Sequence, residues 1–412
     1  MSEILLQIGG MNYGGWTGVS VTRSIETIAG AFDLTCTENV GGEAAQWPIR
    51  PNTACKITVA GQTLIDGYVD KVSIDVSADS HGIAVSGRDK TGDLVDCAAV
   101  HSPAQWRNIK LLDLVKVLAA PFGLDVILET TADTPLTVFK LEPAETAFAA
   151  IERACKLRGV LPVQARGALV LTHVGTQKAV TPLVYGGNML SATADFDFSE
   201  RFSEYTVSGQ RAGSDTDHGK QVTHVKEKVA DSGISRYRPF AKQADGQATA
   251  AVAKRQAEWE KQVREARSTS LSVTVAGWTQ ENGKVWDINQ LVQVDAAVLG
   301  VSGELLISAV EYTYNDSGEI TKMELKRPDV FLPDPSEEAA AEKKQAAKPK
   351  TSSTKKTTKA AAKSARKSGK AAKQGKAAKR SSSGNAASGA WELPKEADGS
   401  YKARSDTKGL VK

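Results

Sequence analysis

The sequence predicts a mainly β chain: two similar small β-barrel domains, an α+β domain between them, and a disordered basic C-terminal tail. Three observations carry this. Residues 61–97, GQTLIDGYVDKVSIDVSADSHGIAVSGRDKTGDLVDC, place Leu64, Ile65, Tyr68, Val69, Val72, Ile74 and Val76 at mostly two-residue spacing, as strands with one face on a core require. Helical periodicity is confined to two segments within 101–178 and one near 247–267. Between residues 333 and 390 there is no Val, Ile, Leu, Met, Phe, Tyr or Trp, so nothing offsets the entropy of ordering that stretch.

In the first domain, residues 1–100, short strands at 16–23 and 31–37 flank a segment at 24–30, and a strand at 52–60 leads into the 61–97 hairpin. Residues 77–82 supply its turn, and the chain changes direction at 91–94. In the α+β domain, residues 101–178, Ile109, Leu111, Leu112, Leu114, Val115, Val117, Leu118 and Phe122 mark a helix that stops at Gly123. A second helix is expected over 143–158, with Pro143 in its first turn and Gly159 at its end. Strands at 125–129 and 161–172 complete this domain. The second β domain, residues 179–333, is interrupted by a polar helix carrying Ala251, Ala253, Ala257 and Trp259 among charged residues. Residues 211–245 read as a long polar loop that needs a partner to be ordered. A Lys/Ala/Ser-rich tether follows at 334–390. Residues 391–412 then restore apolar anchors at Trp391, Leu393, Tyr401, Leu410 and Val411, a candidate docking segment.

The net charge of +4 hides a split. From residue 336 onward 20 Lys and Arg face 7 Asp and Glu, leaving residues 1–335 at −9 beneath a tail of +13. The four cysteines, Cys36, Cys55, Cys97 and Cys155, form no CxxC pair and read as small buried hydrophobes. MSEILLQIGG lacks the basic start of a signal peptide, and no apolar run approaches the ~20 residues of a membrane span, so synthesis in a reducing cytosol is expected.

An internal repeat is also legible. Trp47, Ile57, Val59, Gly61, Leu64, Ile65, Val69 and Val72 set beside Trp286, Val292, Val294, Gly303, Leu305, Leu306, Ile307 and Val310 show a strand, a glycine turn and an alternating hairpin twice over. Two similar units per chain let three chains present six units around one axis.

Chemistry-bearing motifs are sparse. Asp89-Lys-Thr-Gly92 matches the start of the phosphorylation motif of P-type cation pumps, but the chain has no membrane helices, and a surface turn is the better reading. Asp215, Asp217, His218 and His224 are good ligand types close in sequence, yet without a second shell they read as solvated loop residues. Glu142 and Glu145 bracket Pro143 where acids favour a helix dipole. No phosphate loop, nucleophile elbow or HExxH helix occurs. No catalytic, cofactor or metal residues are therefore expected.

The order of segments resembles one family. Its carriers are Val19-Ser-Val-Thr-Arg-Ser-Ile-Glu26, Ala29-Gly-Ala-Phe32, Asp66-Gly-Tyr-Val-Asp70 and Ser86-Gly-Arg-Asp-Lys-Thr-Gly-Asp-Leu-Val-Asp-Cys97. Further along come Val275-Ala-Gly-Trp278, Gly283-Lys-Val-Trp286 and Leu325-Lys-Arg-Pro-Asp-Val-Phe331. Over residues 1–333 the chain is similar to the baseplate hub proteins of Mu-like contractile-tailed phages, related to the T-even central hub and to late control D-like tail proteins. The resemblance implies a non-enzymatic virion protein of the tail baseplate, assembled in the host cytoplasm. It implies a homotrimer forming a pseudo-six-fold ring between the hexameric tail tube, or its initiator protein, and a trimeric central spike. Baseplate wedge proteins are further implied partners, and genomic DNA would pass through the bore without specific binding. The other readings are a tail-tip cell-wall hydrolase and a nonspecific DNA-binding tail protein. For the last, Lys355, Lys356, Lys363, Arg366, Lys367, Lys370, Lys376, Lys379 and Arg380 are candidate polyanion contacts, with no interleaved aromatic to stack on bases.

Overall fold

The computed structural model describes residues 4–335 apart from 38–48, 78–80, 132, 166, 211–223, 248 and 317. The chain opens with seven strands: β1 (Ile4–Ile8), β2 (Met11–Tyr13), β3 (Gly18–Ser24), β4 (Ala31–Thr37), β5 (Ala54–Val59), β6 (Gln62–Val76) and β7 (His81–Asp89). They pair antiparallel in the order β3-β4-β7-β6-β5-β1-β2. Two-residue alternation turns Val19 and Val21, Phe32 and Leu34, and Ile83 and Val85 onto the core. Burying each such side chain contributes about 1.5–3 kcal/mol. The 15-residue β6 serves two neighbours: its first half pairs with β5, its second with β7, and a bulge between Val69 and Lys71 marks the change.

The insert follows as α1 (Thr91–Asp96), β8 (Gln105–Ile109), α2 (Leu111–Ala119), β9 (Val126–Leu128), β10 (Leu136–Lys140), α3 (Ala147–Lys156), β11 (Leu161–Ala165) and β12 (Ala168–Thr172). It has its own core, centred on Leu114, Val115, Ala150, Ile151, Leu169 and Leu171. Gly123 and Gly159 close their helices in the left-handed region, as expected. Two expectations fail locally. Ile109 ends a strand rather than starting α2. Pro143 lies outside α3, whose N-cap is Thr146, its hydroxyl accepting from the Ala149 amide at 3.2 Å.

The remaining elements are β13 (Gln177–Lys178), β14 (Leu183–Val184), β15 (Met189–Phe196), β16 (Glu204–Gln210), β17 (Val225–Ala230), β18 (Pro239–Gln247), α4 (Ala250–Arg267), β19 (Thr269–Ala276), β20 (Gln290–Ala296), β21 (Val301–Asn315) and β22 (Gly318–Lys326). The loop expected over 211–245 is therefore partly strand. β17 and β18 flank β16 in a separate sheet covered by α4. Of its buried apolar residues only Val225 and Ala244 come from that stretch, while Tyr205, Val207, Ala253 and Ala257 come from outside it, which is why the polar segment read as a loop.

The repeat survives as topology. In the first unit the pairing order is β3-β4-β7-β6-β5, and in the second it is β15-β19-β22-β21, with β20 on the far side of β21. Both are the same five-strand path taken in the same chain order. β21, also 15 residues, bulges between Ile307 and Ala309, matching the bulge of β6. Val69 faces Gly87 where Ile307 faces Leu325, so Val72 corresponds to Val310, Ile74 to Tyr312 and Val76 to Tyr314. This corrects the sequence alignment ahead of the bulge: Gly61 corresponds not to Gly303 but to Gly300, both turning the chain at positive φ, and the facing pair Ile57 and Ile65 corresponds to Val294 and Gly303. The connection at 297–300 is longer than Ala60-Gly61, and that shifted the apparent match. Trp47 lies outside the described residues. β21 also pairs with β3, so both units belong to one fourteen-stranded network with a shared core.

Candidate assembly interface

Where the units meet, one cation ties three parts of the chain together. Arg23 follows Val19 and Val21 on the inward face of β3 and is 4% exposed. Its Nη1 donates to Asp287 Oδ1 at 2.5 Å, its Nη2 to the Gln164 carbonyl at 2.6 Å and its Nε to Gln164 Oε1 at 3.2 Å. Asp287 precedes β20 and Gln164 lies in β11, so the guanidinium joins the first unit, the insert and the second unit. Burial opposes its charge, but Asp287 above all keeps its pKa raised. Beside it Tyr312 donates to the Trp286 carbonyl, and burial lifts its phenol far above its ordinary value.

The motif that looked most like chemistry is structural. Asp89 is buried rather than on a surface turn: its carboxylate accepts from the amides of Gly30 at 2.7 Å and Thr91 at 2.9 Å and from the Thr91 hydroxyl. Burial raises its pKa against the pull of those donors. Around it Arg88 bridges Asp70 and Asp96 at 2.8 Å each, and Asp66 pairs with Lys56 and Lys90. Glu145, expected to favour a helix dipole, instead holds Arg153 through both oxygens at 2.8 Å, which lowers its pKa.

Cys55 and Cys155 are buried, and burial pushes both thiols up to about 12. Cys36 is half-buried. Cys97 is exposed, against expectation, because α1 ends just before it at the edge of the insert. Among the described residues no group of three His, Cys, Asp or Glu is placed to hold a metal, and no helix is long and apolar enough to cross a membrane. Asp215, Asp217 and His218 lie outside the described residues. So do all the candidate docking residues, Trp391 to Val411, and all the candidate polyanion contacts, Lys355 to Arg380. A cleft lined by Arg23 and Ser24 of β3, Glu311 of β21 and Lys322 and Glu324 of β22 runs along these strands.

What the described surface does offer is apolar strand. Ile74, Val76, Leu190 and Phe196 are all large, apolar and exposed, and they sit on the second half of β6 and on β15. Exposed apolar positions gathered on strands fit protein contact rather than catalysis. Arg23 was missed by sequence reasoning, although a charge in register with Val19 and Val21 is its signal.

Four family models match successive parts of the chain. Residues 3–89 match the N-terminal domain of the Mu phage baseplate assembly protein GpP-like family. Residues 91–173 match the second domain of the baseplate hub protein gp44-like family. Residues 201–261 match the third domain of NMB1110-like tail proteins, and residues 249–334 the fourth domain of the Mu phage GpP family. The baseplate hub protein gp44 of Escherichia phage Mu is 38% identical over 342 residues, covering 80% of this chain and 89% of that protein. The 43 kDa tail protein of prophage MuSo2 from Shewanella oneidensis superimposes with a TM-score of 0.72 at 34% identity, covering 80% of this chain and 99% of that one. The tail protein from Neisseria meningitidis MC58 shares the fold, with a TM-score of 0.68 at 22% identity over 81% of this chain and 98% of its own.

Proposed function

The chain belongs to the family of Mu-type phage baseplate hub proteins, and from that membership we propose a homotrimer whose β units form a pseudo-six-fold ring between tail tube and central spike. Its role is that of a structural component of the phage tail baseplate. The observation that supports the ring is the duplicated five-strand order: each chain brings two units of like topology, so three chains bring six. Six like units match a hexameric tube or tube-initiator protein on one side, while three chains match a trimeric spike on the other. Wedge proteins would bind the periphery. The arrangement works through interfaces, and stable ones of this kind bury more than ~2,000 Å².

A bore at the ring's centre is the proposed route for DNA, assembled in the host cytoplasm with the rest of the tail. The −9 charge of residues 1–335 supports a wall that does not hold DNA. A tail-tip hydrolase has less in its favour: the relatives are named for baseplate and tail roles, and the one catalytic-looking motif is spent on folding. Particles produced without this chain are expected to carry no spike at the tube end. Spike-bearing, infectious particles in its absence would refute the hub reading.

The tail has a separate proposed role. Residues 334–390 act as a solvated tether that delivers residues 391–412 to a partner, with nonspecific polyanion contact as its second property. Binding of full-length chain to duplex DNA is expected to weaken at least about tenfold between 50 and 200 mM salt and to vanish on truncation after residue 335. Salt-independent binding, or binding that survives truncation, contradicts that property.

A further inference from the structure

The internal duplication identifies the surfaces that join one chain to the next, an inference that rests on the ring reading above. Inside one chain the two units meet edge to edge. β21 gives its first half to β20 and its second half, from Ala309 to Tyr314, to β3. β6, the counterpart of β21, likewise gives its first half to β5. The same edge of its second half carries no strand among the described residues. β15, the counterpart of β3, pairs with β19 on one side and with no other described strand. Each chain therefore repeats one junction's two halves without joining them to each other. We propose that the second half of β6 pairs antiparallel with β15 of a second copy of this chain, reproducing the β21–β3 junction between subunits.

The duplication also sets the register. β3 and β15 correspond through their partners: Thr22 faces Ala31 as Asp195 faces Ser270, and Ala31 and Ser270 in turn face Arg88 and Lys326, the residues after the matched Gly87 and Leu325. In the observed junction Val310 faces Arg23, Tyr312 faces Val21 and Tyr314 faces Val19. Carried across, Val72 faces Phe196, Ile74 faces Ala194 and Val76 faces Ala192 of the neighbour. On the opposite face Lys71 meets Asp197, and Ser73 meets Asp195. Neither strand was aligned by its side-chain character, yet apolar meets apolar and cation meets anion. The match explains why Ile74, Val76 and Phe196 are 45%, 75% and 55% exposed in the single chain. Asp197 also accepts from the Ser199 amide at 2.8 Å through one oxygen, which fixes its position at the end of β15. Because the two edges are different surfaces of one chain, the contact is head-to-tail and propagates until a ring closes.

Opposite residues of an antiparallel pair stand ~4.5–5.5 Å apart at Cα, within reach of a disulfide. In full-length chain, Ile74→Cys with Ala194→Cys is expected to give covalent trimers on oxidation. Either single variant, and the mismatched pair Ile74→Cys with Phe198→Cys, give none above the background of the native cysteines. Under reduction the melting temperature of the double variant stays close to the parent, since Ile74 is exposed and Ala194, at the margin of the core, gains only one sulfur atom. A charge swap supplies a second reading: Lys71→Asp raises the concentration needed for assembly, and adding Asp197→Lys restores it. A native-mass trimer that neither cross-links nor responds to the swap overturns the pairing while leaving the ring reading intact. A chain that stays monomeric at every concentration, alone and with the spike, overturns the ring reading itself.

Discussion

Arg23→Ala lowers the unfolding free energy of residues 1–335 by about 3–5 kcal/mol, the cost of removing one partner from a buried, hydrogen-bonded ion pair. The guanidinium makes three bonds to Asp287 and Gln164, and it is the one described group bonded at once to the first unit, the insert and the second unit. Without it the Gln164 carbonyl, already beside an unpartnered Gln164 Nε2, has no donor. Asp287, with its side chain 30% exposed, recovers some hydration, which holds the cost below that of a sealed carboxylate. Arg23→Met combined with Asp287→Asn is expected to regain much of the loss, because packing is kept and the orphaned charge is gone. Urea unfolding monitored by tryptophan fluorescence measures both. A loss under 1 kcal/mol for Arg23→Ala would mean that the three parts are held by apolar packing alone.

Gly67→Ala is expected to cost more than the ~1–3 kcal/mol of ordinary overpacking. A Cβ at Gly67 would lie 2.0 Å from the Arg88 carbonyl oxygen and 2.4 Å from the Asp89 Cα. Both are backbone atoms of the paired strand, so no rotamer relieves the clash and β6 must part from β7. That separation also pulls Asp89 from Gly30 and Thr91. Gly61 is the internal control, with φ of 74° but open space around its Cβ. Gly61→Ala should cost only about 1–2 kcal/mol of left-handed strain. Equal melting temperatures for the two variants would contradict the close-approach argument.

These two sites show what the sequence made legible and what it hid. The β character, the insert's two helices and the repeat all follow from spacing, because alternation and 3.6-residue periodicity are local properties. Asp66-Gly-Tyr-Val-Asp70 and Ser86-Gly-Arg-Asp89 stood out as motifs, but their reason is tertiary: Gly67 and Asp89 meet across two strands, which no single segment displays. The charged strand β17 stayed hidden because its core partners Tyr205 and Val207 come from another strand. At the interface, Ile74 and Val76 read as ordinary core positions. Only the pairing order shows that their own chain leaves them exposed. The candidate docking residues and the basic cluster fall in the tail, where composition rather than packing is what the sequence records.

The central claim is that this hub is built from three chains carrying six β units. Native mass measurement of the purified full-length chain, alone and with a candidate spike, tests it most directly. The expected result is a species of three 43.7 kDa chains, unchanged in hub stoichiometry when a spike trimer binds. A monomer under both conditions, or a stable hexamer of this chain, would contradict it.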